Sequence, residues 1–205
     1  MSSRPSRQNA GDTIAASYAR RLVALERAWW KRVTPVQLPY RWNIRRLCPG
    51  QTLEIGCGIG RNLKHLSGRA IGIDHNSEAV RIARERRLEA YTPEGFASSH
   101  HERADTFDSL LFAHVLEHMD RLTSLRLIRT YLPYLRRTGT VVMITPQELG
   151  FRSDPTHLVF LDFAGLTDLA NACGFRVTRQ FSFPFPRRVG TMFTYNEFVV
   201  VAQRS

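Results

Sequence analysis

The chain has 205 residues, 43% of them hydrophobic, and a formal net charge of +11. That length suits one domain with a substantial apolar core and leaves little room for a second folding unit. Its longest apolar runs, such as Phe198 to Ala202, are far too short to cross a bilayer, so no transmembrane helix is expected.

Met1 to Asp12 holds Arg4 and Arg7 but no apolar stretch with a cleavage site, so no secretory signal is expected and the cytoplasm is the expected location. Cys48, Cys57 and Cys173 lie far apart with no C-x-x-C spacing, which argues against a disulfide framework and a zinc cluster. The positive charge favours encounters with nucleic acid, anionic lipid or phosphorylated substrates without choosing among them. Much of it lies in Arg20, Arg21, Arg27, Lys31, Arg32, Arg41, Arg45 and Arg46, with more from Arg81 to Arg87. A solvated basic face without a ligand is the other reading.

Residues 1–12 are polar and are expected to be disordered. Thr13 to Val33 carries Ile14, Tyr18, Leu22, Leu25 and Trp29 at helical spacing, with Pro35 and Pro39 expected to end the helix. A second short helix spans Tyr40 to Leu47. From Pro49-Gly50 onward, short apolar runs alternate with helical segments, the pattern of β-α-β units and a parallel sheet. Strands are expected at 52–55, 70–73, 90–91, 109–112, 140–144, 176–183 and 197–203. Helices are expected at 62–66, 77–87, 122–135 and 163–173.

The run Glu54-Ile55-Gly56-Cys57-Gly58-Ile59-Gly60 puts a glycine turn where a strand gives way to a helix. Backbone can there approach a ligand, and the helix start, at Asn62, offers unpaired N–H groups. The third glycine of a dinucleotide fingerprint is replaced by Arg61, and no Gly-Lys-Ser/Thr follows, so nicotinamide and Walker-type phosphate loops both fail. Asp74 ends the next strand, where a carboxylate can accept both hydroxyls of a ribose. Its alternative role is a helix N-cap, for which Asn76 and Ser77 are better placed.

An acid two residues before G-x-G-x-G is the arrangement of class I methyltransferases, which this chain resembles over roughly residues 50 to 145. The resemblance implies a Rossmann-like α/β fold, a doubly wound sheet of about seven strands, mostly parallel with an antiparallel last strand, preceded by N-terminal helices. It implies S-adenosylmethionine as cofactor, with Glu54 at the methionine end and the backbone of Gly56, Cys57 and Gly58 beside it. Thr92-Pro93-Glu94 resembles the adenine-side loop, and His75 could stack or hydrogen-bond near the adenosine. Phe107 to His118 and Arg137 to Ile144 resemble the fourth strand with its loop and the fifth strand. The implied division is a helical lid at 13–48 and a core at 49–205, within one domain.

His114-Val115-Leu116-Glu117-His118 also matches H-x-x-E-H, a zinc-protease pattern that needs a helix. Here it directly follows an apolar strand, and small-molecule methyltransferases often carry this string at that corner, so no metal is expected. His114 is a candidate cofactor contact and His118 a candidate substrate contact; both could instead cap the loop. His100 and His101 are expected to be exposed, and His65 structural.

Ser153-Asp154-Pro155-Thr156-His157 resembles an Asp-Pro-x-His string found in methyltransferases that act on hydroxyls of sugars, lipids or phenols. His157 is therefore the candidate general base, against the alternative of a plain Asp-Pro turn. The expected function is methylation of a small-molecule or lipid- or sugar-linked hydroxyl. RNA methylation, favoured by the charge, and a non-catalytic cofactor-binding domain are the alternatives. An anionic membrane surface is a further possible partner, through the arginines and Trp29, Trp30, Tyr40 and Trp42 before the core. Phe181, Phe183 and Phe185 are read as exposed aromatics available to an interface or to substrate.

Overall fold

A computed structural model describes residues 37–204. The expected polar start at 1–12 and the expected helix at 13–33 lie outside the described residues. Chain order is α1 (Gln37–Leu47), β1 (Thr52–Ile55), α2 (Arg61–Leu66), β2 (Ala70–Ile73), α3 (Ser77–Glu85), β3 (Ala90–Tyr91) and α4 (Pro93–Ala97). There follow β4 (Phe107–Ala113), α5 (Arg121–Tyr131), β5 (Leu135–Pro146), α6 (Glu148–Arg152), α7 (Phe163–Ala172), β6 (Phe175–Phe183) and β7 (Glu197–Arg204).

The strands form one seven-stranded sheet in the order β3-β2-β1-β4-β5-β7-β6. The first five run parallel, and β7 lies antiparallel to both β5 and β6. Alternating side chains explain the two cores. Leu110 and Phe112 of β4, with Val141 and Met143 of β5, pack on one face with Leu125, Ile128, Leu166 and Leu169 of α5 and α7. Leu111, Ala113, Val142 and Ile144 pack on the other with Ile44, Leu63 and Val80 of α1, α2 and α3. Because both faces are buried, the central strands are continuously apolar rather than alternating.

Several boundaries differ from the sequence expectation, each for a local reason. α1 begins at Gln37 rather than Tyr40, because Pro39 fits its first turn, where the missing N–H leaves no bond unmade. α5 stops at Tyr131, because Pro133 disfavours helical backbone before it and Leu132 to Tyr134 tighten into a 3₁₀ turn. β5 starts at Leu135, with Arg136, Arg137 and Thr138 exposed, so its first residues show no apolar run. α4 was not expected: the Thr92 hydroxyl caps it by accepting from the Gly95 N–H at 3.2 Å, with Pro93 in its first turn. Phe181 and Phe183 are half-buried, and only Phe185 of that trio is exposed.

Candidate functional site

Strand order reverses at β1 and β4, the place where a doubly wound sheet opens a crevice at its carboxyl ends. A cavity of about 550 Å³ lies there. Its floor is the turn after β1. Gly56, Gly58 and Gly60 all have positive φ. A Cβ on Gly56 would sit 2.7 Å from the Val115 side chain, so this glycine lets the loops after β1 and β4 close on each other.

Asp74 holds that floor in shape. One carboxylate oxygen accepts from the Gly58 N–H at 2.7 Å and the other from the Asn76 N–H at 2.9 Å. The Asn76 side chain is the cap of α3, accepting from the N–H groups of Glu78 and Ala79, so Asp74 is not spent on that task. Glu54, at the end of β1, is 1% exposed. Its Oε1 accepts from the Asn62 amide at 2.7 Å, while Oε2 is buried with no partner. Burial drives the Glu54 carboxyl up to about 8, against the lowering effect of the Asn62 hydrogen bond.

Across the cavity, His114 follows β4 with φ 57, a left-handed conformation rare for a residue with a side chain. Its Nε2 lies 2.8 Å from Glu197 and its Nδ1 3.4 Å from Glu117, the latter too poorly aligned to be a hydrogen bond. Burial disfavours the charged ring, yet the two carboxylates outweigh it and raise His114 to about 9.

A family model described as a methyltransferase domain matches residues 37–180. The chain belongs to this methyltransferase family. It is an enzyme class whose methyl donor is S-adenosylmethionine. No curated protein matches the chain. Among solved structures, a SAM-dependent methyltransferase from Archaeoglobus fulgidus superposes with TM-score 0.62 at 18% identity, covering 80% of this chain and 93% of that one. A TehB-like SAM-dependent methyltransferase from Corynebacterium glutamicum gives 0.66 at 13% identity, covering 93% and 100%. A SAM-dependent methyltransferase from Thermotoga maritima, described as a possible histamine N-methyltransferase, gives 0.66 at 18% identity, covering 92% and 98%. These likenesses show the fold.

In the methyltransferase, Glu54, Gly56, Cys57, Gly58, Asn62, Asp74, His114, His118 and His157 all line the one cavity. Thr92, Glu94 and His75 do not; the His75 side chain is 89% exposed, and Thr92 is occupied as a helix cap. The His157 ring stacks on Phe151, and its Nδ1 lies 2.8 Å from the Phe151 carbonyl. A carbonyl only accepts, so Nδ1 carries the proton and Nε2 presents a lone pair. His118 is held the same way, Nδ1 against the Thr156 carbonyl at 3.1 Å, with the two rings 4.8 Å apart.

Asn43, Arg61, Tyr195 and Glu197 also line the cavity and were not expected there, and His65 lines it too. His65, expected to be structural, is buried on α2; its own desolvation, followed by the nearby cations Arg61, Arg41, Lys64 and Arg45, lowers it to about 4. Tyr40 of α1 reaches the same wall, where its hydroxyl donates to the Tyr195 carbonyl at 2.6 Å. Glu197 carried one usable signal: a carboxylate opening an otherwise apolar strand calls for a cationic partner. His101, expected to be exposed, is largely covered and lies 2.6 Å from Glu89.

Proposed function

We propose that the methyltransferase methylates a hydroxyl on a small-molecule or lipid- or sugar-linked acceptor, with His157 as the proton acceptor and His118 beside it at the acceptor end. When bound, S-adenosylmethionine supplies an electrophilic methyl group that passes in line to the acceptor atom. The residues present fit that donor. The unpartnered Glu54 Oε2 suits an ammonium group such as that of the methionine moiety, with Asn62 fixing the carboxylate's orientation. Each Asp74 oxygen accepts one backbone N–H and keeps capacity for a ribose hydroxyl. Gly56, Cys57 and Gly58 would lie along the donor, His114 beside its centre, and His75, Thr92 and Glu94 towards the adenine, near the ends of β2 and β3.

The observation that carries the acceptor reading is the fixed tautomer of His157. Its Nδ1–H is committed to the Phe151 carbonyl, which leaves Nε2 able to take a hydroxyl proton inside the lined cavity. Alignment of acceptor and methyl group does most of the rest. Among the described residues no helix is long and apolar enough to cross a membrane. A lipid-linked acceptor would therefore be met at a surface, where the +11 charge favours anionic headgroups.

The same charge supports RNA as the second acceptor class. Labelled S-adenosylmethionine offered with total RNA in one reaction and with a lipid and glycolipid extract in another separates the two. Label in the lipid or small-molecule fraction is expected, and label in RNA alone would replace the first reading with the second. Asp74→Ala is expected to abolish donor binding by calorimetry. Donor binding with no transfer to any fraction would instead leave the non-catalytic reading standing.

A further inference from the structure

The geometry points to a binding site for a divalent first-row transition-metal cation, built from Glu117, His118 and His157 at the acceptor end of the cavity. One ligand atom from each of the three lies within 4.8 Å of the others, and His157 Nε2 is 4.0 Å from Glu117 Oε1. Bonds of about 2.0–2.2 Å to one ion place adjacent ligand atoms roughly 3–3.6 Å apart, so the widest pair must close by roughly 1–2 Å to complete the site.

Two independent observations turn the cluster into a site. The Glu117 side chain is fully buried and neither of its oxygens accepts a hydrogen bond; the His114 ring 3.4 Å from Oε1 offsets part of the cost of the buried carboxylate and leaves Oε2 without a partner. The nearest positive group, His114, directs its hydrogen bond to Glu197 and meets Glu117 only at 3.4 Å. Secondly, both histidines commit Nδ1 to a backbone carbonyl, His118 to Thr156 and His157 to Phe151. That is the outer-shell arrangement that aims an imidazole Nε2 lone pair at a metal.

The H-x-x-E-H pattern would pair His114 with His118 on a helix. In the structure His114 is not one of the trio; His157, from the loop before α7, takes that place. Two imidazoles and one carboxylate suit zinc, iron or cobalt, with remaining positions open to the cavity. The inference deepens the proposed function and rests on it for its use: with the cation bound, His157 Nε2 would hold the ion in place of accepting the proton, and an acceptor hydroxyl coordinated to the cation would lose its proton to solvent water more readily. Binding itself depends only on the three side chains.

The test uses the full chain and Co2+, whose visible spectrum reports nitrogen and oxygen ligation, with Zn2+ competition followed by calorimetry. One equivalent is expected to bind. His157→Ala and Glu117→Gln should each weaken it by more than about tenfold, the loss that even an outer partner of a metal ligand can produce. His101→Ala, in the separate cluster of Glu89, His100 and His101, should leave it unchanged. Donor binding by the same variants checks that they are folded, and His118→Ala provides a third, partly exposed position should Glu117→Gln fail to fold. No one-equivalent binding by the wild-type chain, or binding lost only with His101→Ala, would overturn the site. Neither outcome touches the hydroxyl reading, which fails only on the labelling experiment.

Discussion

At the scale of single residues, the decisive quantity is the charge state of Glu54. A carboxyl raised by burial to about 8 is largely protonated at neutral pH, whereas an ammonium partner requires the ionised form. Folding therefore favours the protonated state: the stability this group contributes is fully present below its unfolded pKa, near 4.5, and is lost as pH rises through about 8. Donor binding runs the opposite way, because each unit of pH below 8 adds the cost of removing that proton. Between pH 5.5 and 7.5 the Kd for S-adenosylmethionine is expected to tighten by up to about tenfold per pH unit. Calorimetry across that window checks it, and Glu54→Gln should bind more weakly with a flat profile. A steep profile retained in the variant would assign the proton to another group.

Among the elements, the corner where β5, β6 and β7 meet shapes one wall of the cavity. Gln147 and Asn196, both fully buried, bond to each other at 2.9 Å, and both donate to the Ser182 hydroxyl. Asn196 also accepts from the Phe185 N–H at 3.0 Å, tying down the loop between β6 and β7. Asn196→Ala leaves the Gln147 carbonyl oxygen and the Phe185 N–H without these partners, a loss of about 2–4 kcal/mol. Thermal unfolding should show Tm falling by roughly 4–16 °C. Since Thr194 and Tyr195 line the cavity next door, KM for the acceptor should rise while the donor Kd stays within about twofold. Such polar clasps are where sequence legibility ends. β1, β2 and β3 match their expected limits because each is a short apolar run stopped by a turn signal. The clasp joins residues about fifty apart, and nothing local marks Gln147 as the partner of Asn196. The part of the cavity lined by Glu54, Gly58 and Asp74 was legible for the same reason as the strands, since these residues sit at fixed offsets from strand ends. The wall that carries His118 and His157 depends on how loops after β4, β5 and β6 converge, so it surfaced only as isolated histidines without their carbonyl partners.

For the whole molecule, the two core layers share one sheet, and the cavity takes its walls from loops on both sides of the strand reversal. Glu54 and Asp74 belong to the β1–β2 half, and His114 and Glu197 come from β4 and β7. A ligand filling this space therefore couples both halves, and neither half can open without losing it. Ligand at 100 times its Kd adds about 2.7 kcal/mol to the folded state. For a chain of this size, each kcal/mol moves Tm by roughly 2–4 °C, so a rise of about 5–11 °C is expected with S-adenosylmethionine or its demethylated product. Scanning calorimetry should show that rise as a displacement of one transition. If only part of the heat absorption moved and the rest stayed in place, the sheet would be melting in two units and the site would belong to one of them.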